Sequence, residues 1–223
     1  MPIIRIGAKL IYFAHVPRCA GSSIEDYLGA RFGQLGFLDR SFLSIPVAGR
    51  WNQCSPQHID VRSLMRLLPA ALFDAIFAVV RHPVDRIVSV YRFQRDIAGL
   101  IPADTGFGDW LAELESQYEK DPFCYDNHAQ PATNLIPERN AKIFRLEDGL
   151  APVVDWLDEL AGNQDGPREM VVSNTYAQRL DREQVPAGPA SQITETERGI
   201  IEEIFAADYK RFGYAESAAP EGG

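Results

Sequence analysis

The chain has 223 residues, 46% of them hydrophobic and 24% charged, which is ordinary globular usage and excludes disorder of the whole chain. A formal net charge of −9, from 22 Lys and Arg against 31 Asp and Glu, speaks against a general nucleic-acid binder. The balance is uneven: residues 1–100 carry 12 basic and 7 acidic side chains and residues 101–223 carry 10 and 24, so an anion site is expected in the basic first half.

The apolar residues at the start are interrupted by Arg5, Lys9 and His15, with no small-residue cleavage site, and do not read as a signal peptide. Residues 10–14 predict a strand. It runs into His15-Val16-Pro17-Arg18-Cys19-Ala20-Gly21-Ser22-Ser23, after which Ile24, Tyr27, Leu28 and Phe32 fall at helical spacing. Residues 33–57 show no period and are expected to be irregular, with a short strand near 42–47. A helix is expected over 61–72, with Val61, Leu64, Met65 and Leu68 on one face. The continuous apolar run at 76–80 is the clearest strand and suits a parallel one covered on both faces. Pro83 fits the first turn of the next helix, which carries Val84, Ile87, Val88 and Tyr91 on one side and Arg86, Arg92 and Arg95 on an expected solvated face. Beyond it come a loop at 99–106, a helix at 107–118 and a long polar segment at 121–140. A third core strand is expected at 142–145, an amphipathic helix at 152–160 and mostly loop at 161–192. Thr194 with Glu197 fits a capping box, opening a helix that ends near Gly213.

Strands alternating with helices indicate a single α/β domain around a mostly parallel sheet, spanning residues 1–214, with 215–223 as a disordered tail. Cys19, Cys54 and Cys124 are widely spaced and odd in number. They disfavour a zinc site or disulfide framework and suit a reducing compartment. No apolar run approaches ~20 residues, so no transmembrane helix is expected and a cytoplasmic location fits best.

Two loops could hold phosphate. In the first, Ala20, Gly21, Ser22 and Ser23 let backbone approach an anion at a helix N-terminus, and Arg18 adds positive charge. An ordinary strand-to-helix turn with a serine cap would use the same residues. GxxxxGK[ST] is absent, since no lysine precedes Ser22, which demotes a standard ATP or GTP site. In the second loop, Arg81 stands at the carboxyl end of a strand, where ligands bind open α/β sheets. Ser89 lies two turns into the following helix and shares the crevice only if that helix starts beside the first loop.

Residues 15–24 resemble the 5′-phosphosulfate loop of sulfotransferases that use PAPS (3′-phosphoadenylyl sulfate). Residues 77–91 resemble their 3′-phosphate motif. Ser55-Pro56-Gln57-His58, residues 144–148 and the Asp208-Tyr209 and Phe212-Gly213-Tyr214 ending are also similar to the carbohydrate and membrane-type sulfotransferases, many of them bacterial. The resemblance runs from about residue 10 to 214 and implies a P-loop-like sulfotransferase fold. It implies that the amides of Cys19, Ala20, Gly21, Ser22 and Ser23, with the two serine hydroxyls, hold the phosphosulfate. Arg18 stands where the family usually has lysine and would stabilise the leaving phosphate oxygen. Arg81 and Ser89 would bind the 3′-phosphate.

Sulfuryl transfer also needs a base for the acceptor hydroxyl. His58 is the candidate, with Glu25 as an alternative; a capping or surface histidine would be the structural reading of His58. His15 is expected to be structural, and His82 has no assigned role. His128, in a segment partly similar to one near the family's acceptor, is a substrate-site candidate, although Gln130 and Ala132 depart from the family's Arg and Gln. The expected reaction yields 3′-phosphoadenosine 5′-phosphate (PAP), needs no metal, and sulfates a carbohydrate, glycolipid or small alcohol. A lipid-linked acceptor would make the protein peripheral to a membrane; the oligomeric state is not legible. The competing readings are a P-loop-like small-molecule kinase and a non-catalytic nucleotide-binding protein.

Overall fold

In the computed structural model, which describes residues 1–138, 140–173, 175–184, 188 and 192–214, four strands form one sheet in the order β1 (Ile3–Ile6), β2 (Lys9–Phe13), β3 (Ala75–Val80) and β4 (Ala141–Arg145). The expected tail at 215–223 lies outside the described residues. β2, β3 and β4 are parallel, with Phe13 level with Phe77 and Phe77 level with Lys142. β1 is antiparallel to β2, joined through a tight turn at Gly7, whose φ of 58° lies in the left-handed region. β1 was not expected from the sequence, being only four residues long with Arg5 exposed in its middle.

The five residues of β3 from Ile76 to Val80 are all at most 2% exposed, as a strand covered on both faces requires. Each such apolar side chain contributes about 1.5–3 kcal/mol by leaving water. α1 (Gly21–Phe32) and α5 (Ala151–Ala161) bury Ile24, Leu28, Val153 and Leu157 in the same core as the strands. A second core lies among α3 (Pro83–Arg92), α4 (Phe107–Lys120), α7 (Glu195–Ile204) and α8 (Ala206–Phe212), centred on Tyr91, Trp110, Ile201 and Phe205.

Several expectations need correction. No strand forms at 42–47: Phe42–Ser44 and Val47–Gly49 are short 3₁₀ turns on either side of Pro46. The helix expected over 61–72 is α2 (Val61–Leu67) only, because Leu68, preceding Pro69, is extended. Of its expected inner face Leu64 is fully buried, while Met65 is 36% exposed. The expected loop at 161–192 contains α6 (Tyr176–Glu183), opened by a capping box of Thr175 and Gln178. The box at Thr194 and Glu197 forms as expected. Arg86 and Arg95 are not on a solvated face but buried, because polar partners await them inside.

Candidate active site

The end of β2 and the start of α1 build the first wall of a cavity of about 710 Å³. Arg18 and Ala20 both take left-handed backbone, with φ of 67° and 61°, which bends the loop around its own amides. No side chain caps α1, and Ala20 stands at its N-cap, so the serine-cap reading of this loop does not hold. Gly21 is required for a packing reason: a Cβ there would collide with the His15 ring. Ser22 lines the cavity. The Ser23 hydroxyl also lines it but already accepts from the Ser173 amide at 2.9 Å. Cys19 faces the other way: its side chain is 1% exposed in the core and burial pushes the thiol up to about 12. Only its backbone amide is left for a ligand in the loop.

β3 and α3 supply the second wall. Arg81, at the strand's carboxyl end, lines the cavity and has no carboxylate partner among the described residues. Ser89 meets the first loop directly, accepting from Arg18 Nε at 3.0 Å. Ser89 therefore shares the cavity with the first loop. A π-helical turn over Phe93–Ile97 follows α3. It presents the Phe93 ring to the guanidiniums of Arg18 and Arg179, which lie 4.9 and 5.3 Å from its centroid. Burial, then the charges of Arg179 and Arg81, lowers the Arg18 pKa to about 10. Arg18, Arg81 and Arg179 thus converge on one cavity within an acidic chain, and an anion there would relieve their mutual repulsion.

Three histidines form a third wall, and residues between 146 and 179 line the rest. The His58 ring lies 4.8 Å from that of His15 and 4.6 Å from that of His128, edge to face in both cases. Each has its own partner. His15 Nδ1 is 2.6 Å from Glu25, and burial holds its imidazole below the ordinary value, so a neutral ring donates to that carboxylate. Glu25 lies in the second turn of α1, turned inward to His15 and Arg40, so the alternative base is already engaged. His128 Nδ1 accepts from Gln94 Nε2 at 2.8 Å. Burial first, then the neighbouring His58, keeps its pKa well below the ordinary histidine value. A neutral His128 protonated on Nε2 follows. His58 is 8% exposed and ends a 3₁₀ turn, Pro56–His58. Its Nδ1 lies 2.7 Å from Asp126 Oδ2, which leaves Nε2 as the basic nitrogen.

Asp126 was missed from the sequence, as were Phe93, Gln94 and Arg179. Burial would raise the Asp126 carboxyl, but His58, His128 and Ser55 outweigh it and hold it well below the carboxylate range. Among the described residues, His58, Asp126 and His128 are also the group whose chemistry could take a metal, with ligand atoms within 4.8 Å of one another. His82 is elsewhere, edge-on to Tyr209 and Tyr214.

A glycine-tight loop at a helix N-terminus, an arginine at the next strand's end and a histidine between them are joined in one cavity. A model of the sulfotransferase family matches residues 2–215, nearly the whole chain. The chain belongs to the sulfotransferase family. No curated protein and no solved structure matches it significantly. The single α/β domain with a mostly parallel sheet agrees with that membership. No described helix of this sulfotransferase is long and apolar enough to cross a membrane.

A signal for part of what was missed was present. Thr175-x-x-Gln178 is a capping box like the one recognised at Thr194, and it marks the helix that carries Arg179. Nothing local marks Asp126, whose partners lie 68 and 71 residues away.

Proposed function

We propose that this sulfotransferase moves the sulfuryl group of PAPS to an acceptor hydroxyl. The amides of residues 19–23, with the Ser22 hydroxyl, hold the 5′-phosphosulfate. Ser23 contributes to the loop mainly by fastening it to Ser173. Arg81 and Ser89 bind the 3′-phosphate. His58 Nε2 takes the acceptor's proton, the acceptor oxygen bonds to sulfur, and the bond from sulfur to the phosphate oxygen breaks to release PAP. Arg18 stabilises the charge that develops on that leaving oxygen. His128, neutral with a proton on Nε2, donates to the acceptor or to a sulfuryl oxygen.

The observation that carries this reading is the 3.0 Å bond between Arg18 and Ser89. It makes one charged wall of two motifs 71 residues apart, on the same cavity as His58.

The acceptor is a carbohydrate, glycolipid headgroup or small alcohol, and the reaction needs neither nucleic acid nor metal. Residues 1–214 act as one catalytic domain in the cytoplasm, at the membrane face where the acceptor is lipid-linked. Incubation with ³⁵S-labelled PAPS and a panel of these hydroxyl compounds should give a sulfated product together with an equal amount of PAP. Magnesium-dependent release of ADP from ATP, with no sulfated product, would contradict the reading and favour a kinase.

A further inference from the structure

We infer that Asp126 is the positioning residue of His58, delivered to it by a strained turn that grips the histidine at both ends. The inference rests on the reading of His58 as the base. Tyr125, Asp126 and Asn127 are three successive non-glycine residues in left-handed backbone, with φ of 55°, 55° and 61°. Left-handed backbone is unfavourable for residues that carry a Cβ, and strain of this kind persists only where surrounding contacts over-determine it.

Those contacts are present. The Tyr125 hydroxyl donates to Gln117 at 2.6 Å and accepts from Trp110 Nε1 at 3.1 Å. Arg86 fixes the next residues, donating to the His128 and Gln130 carbonyls. What the turn achieves is local to His58. Asn127, 1% exposed, donates from Nδ2 to the His58 carbonyl at 2.9 Å and fixes its backbone. Asp126 fixes the ring.

The Asp126 carboxylate accepts three hydrogen bonds, all from Ser55 and His58. Oδ1 accepts from the Ser55 amide at 2.5 Å, and Oδ2 accepts from the Ser55 hydroxyl at 2.6 Å and from His58 Nδ1 at 2.7 Å. A carboxylate can only accept, so the His58 proton must sit on Nδ1 and the lone pair on Nε2. The reversed tautomer would set a lone pair against the carboxylate. When Nε2 takes the acceptor's proton the ring becomes an imidazolium, and the adjacent Asp126 stabilises it without itself being protonated. The acceptor proton thus rests on Nε2 until it is released to water, and the electron pair it leaves behind forms the new bond to sulfur. A carboxylate buried merely to hold Ser55 in place would serve the fold as well with an amide in its stead. A tautomer-fixing carboxylate would not.

The test uses the full chain labelled with ¹⁵N-histidine, with His58 assigned by comparison with His58→Ala. Wild type should show His58 protonated on Nδ1 and bare on Nε2, with a downfield Nδ1 proton. In Asp126→Asn that proton signal should be lost while PAP affinity stays within about two-fold. Turnover should fall on the order of 10²–10⁴-fold, with little change in KM for PAPS. Asp126→Glu should recover part of it. A wild-type His58 protonated on Nε2, or an Asp126→Asn enzyme with turnover within three-fold of wild type, would overturn the inference. The wild-type spectrum suffices if the variant does not fold. It also separates this inference from the reading beneath it: a protein without sulfuryl transfer but with the stated tautomer loses its reaction and keeps its histidine geometry.

Discussion

The strand-to-helix loop at 15–24 and the histidine-bearing segment at 121–136 meet at the same cavity but are held by different physics. The loop is local. β2 ends, two left-handed residues bend the chain, and α1 begins, all within residues 13–24. The segment is held by distant polar groups: Arg86 of α3 binds the His128 and Gln130 carbonyls, and Asp208 of α8 accepts from the Ala132 and Thr133 amides at 2.8 Å each. One half of the site is thus bent by its own short sequence, with only Arg18 and Ser23 tied to distant residues, while the other is shaped by the assembled core.

If that contrast is right, removing a distant tie should damage the histidine half and spare the loop. Arg86→Met strands the carbonyls it served and weakens a charge-assisted bridge in the core. We expect a loss of about 3–5 kcal/mol, the scale of a broken buried pair, visible in thermal melting. In the folded fraction turnover should fall with His58 displaced, while PAP affinity changes little. A Tm within 2 °C of wild type would break the comparison, since roughly 6 °C or more is expected for a chain of this size.

His58→Ala should sharpen it from inside the site. Turnover should drop ~10²-fold or more at unchanged nucleotide affinity. Unaltered turnover with a reactive acceptor would remove His58 from the chemistry. Arg81→Ala is the mirror experiment, weakening PAP binding by ~1.5–3 kcal/mol, the worth of a charged hydrogen bond, at unchanged melting temperature. An unchanged affinity in calorimetry would make the second motif purely structural.

The smallest effect concerns the ion pairs behind the loop. Asp158 of α5 binds Arg31 of α1 at 2.6 Å and Arg168 at 2.7 Å. Arg168 first, then Arg31, lowers its carboxyl to about 2. A depressed carboxyl stabilises the fold above its unfolded pKa of ~3.9 and loses that contribution as pH falls through the folded value. Asp158→Asn should therefore melt slightly lower than wild type near neutrality, with the gap closing between about pH 4 and pH 2. A gap that stays constant with pH would mean the pairs contribute through shape alone.

What was legible in the sequence follows the same division. β2, β3, β4 and the helices with an apolar stripe could be read because periodicity and capping are local signals. The strand-to-helix loop at 15–24, Arg81 and His58 stand out in the sequence as motifs, and the structure places them on one cavity. Arg86 reads as a surface arginine because nothing beside it announces its partners, the carbonyls of His128 and Gln130 and the Asp208 carboxylate 3.9 Å away. Asp126 was silent for the same reason, since the turn that aims it contains no glycine to betray left-handed backbone. The helix over 61–72 was read too long because its apolar spacing continued past the point where Pro69 stops it.

Under the proposed function, this cavity takes a nucleotide phosphorylated at both 3′ and 5′ positions. Titration calorimetry of PAP against 5′-AMP, on wild type and on Arg81→Ala, addresses it most directly. Wild type should prefer PAP by at least about ten-fold, and Arg81→Ala should erase most of the preference, as loss of a charged contact requires. Equal affinity for the two nucleotides in wild type would contradict it.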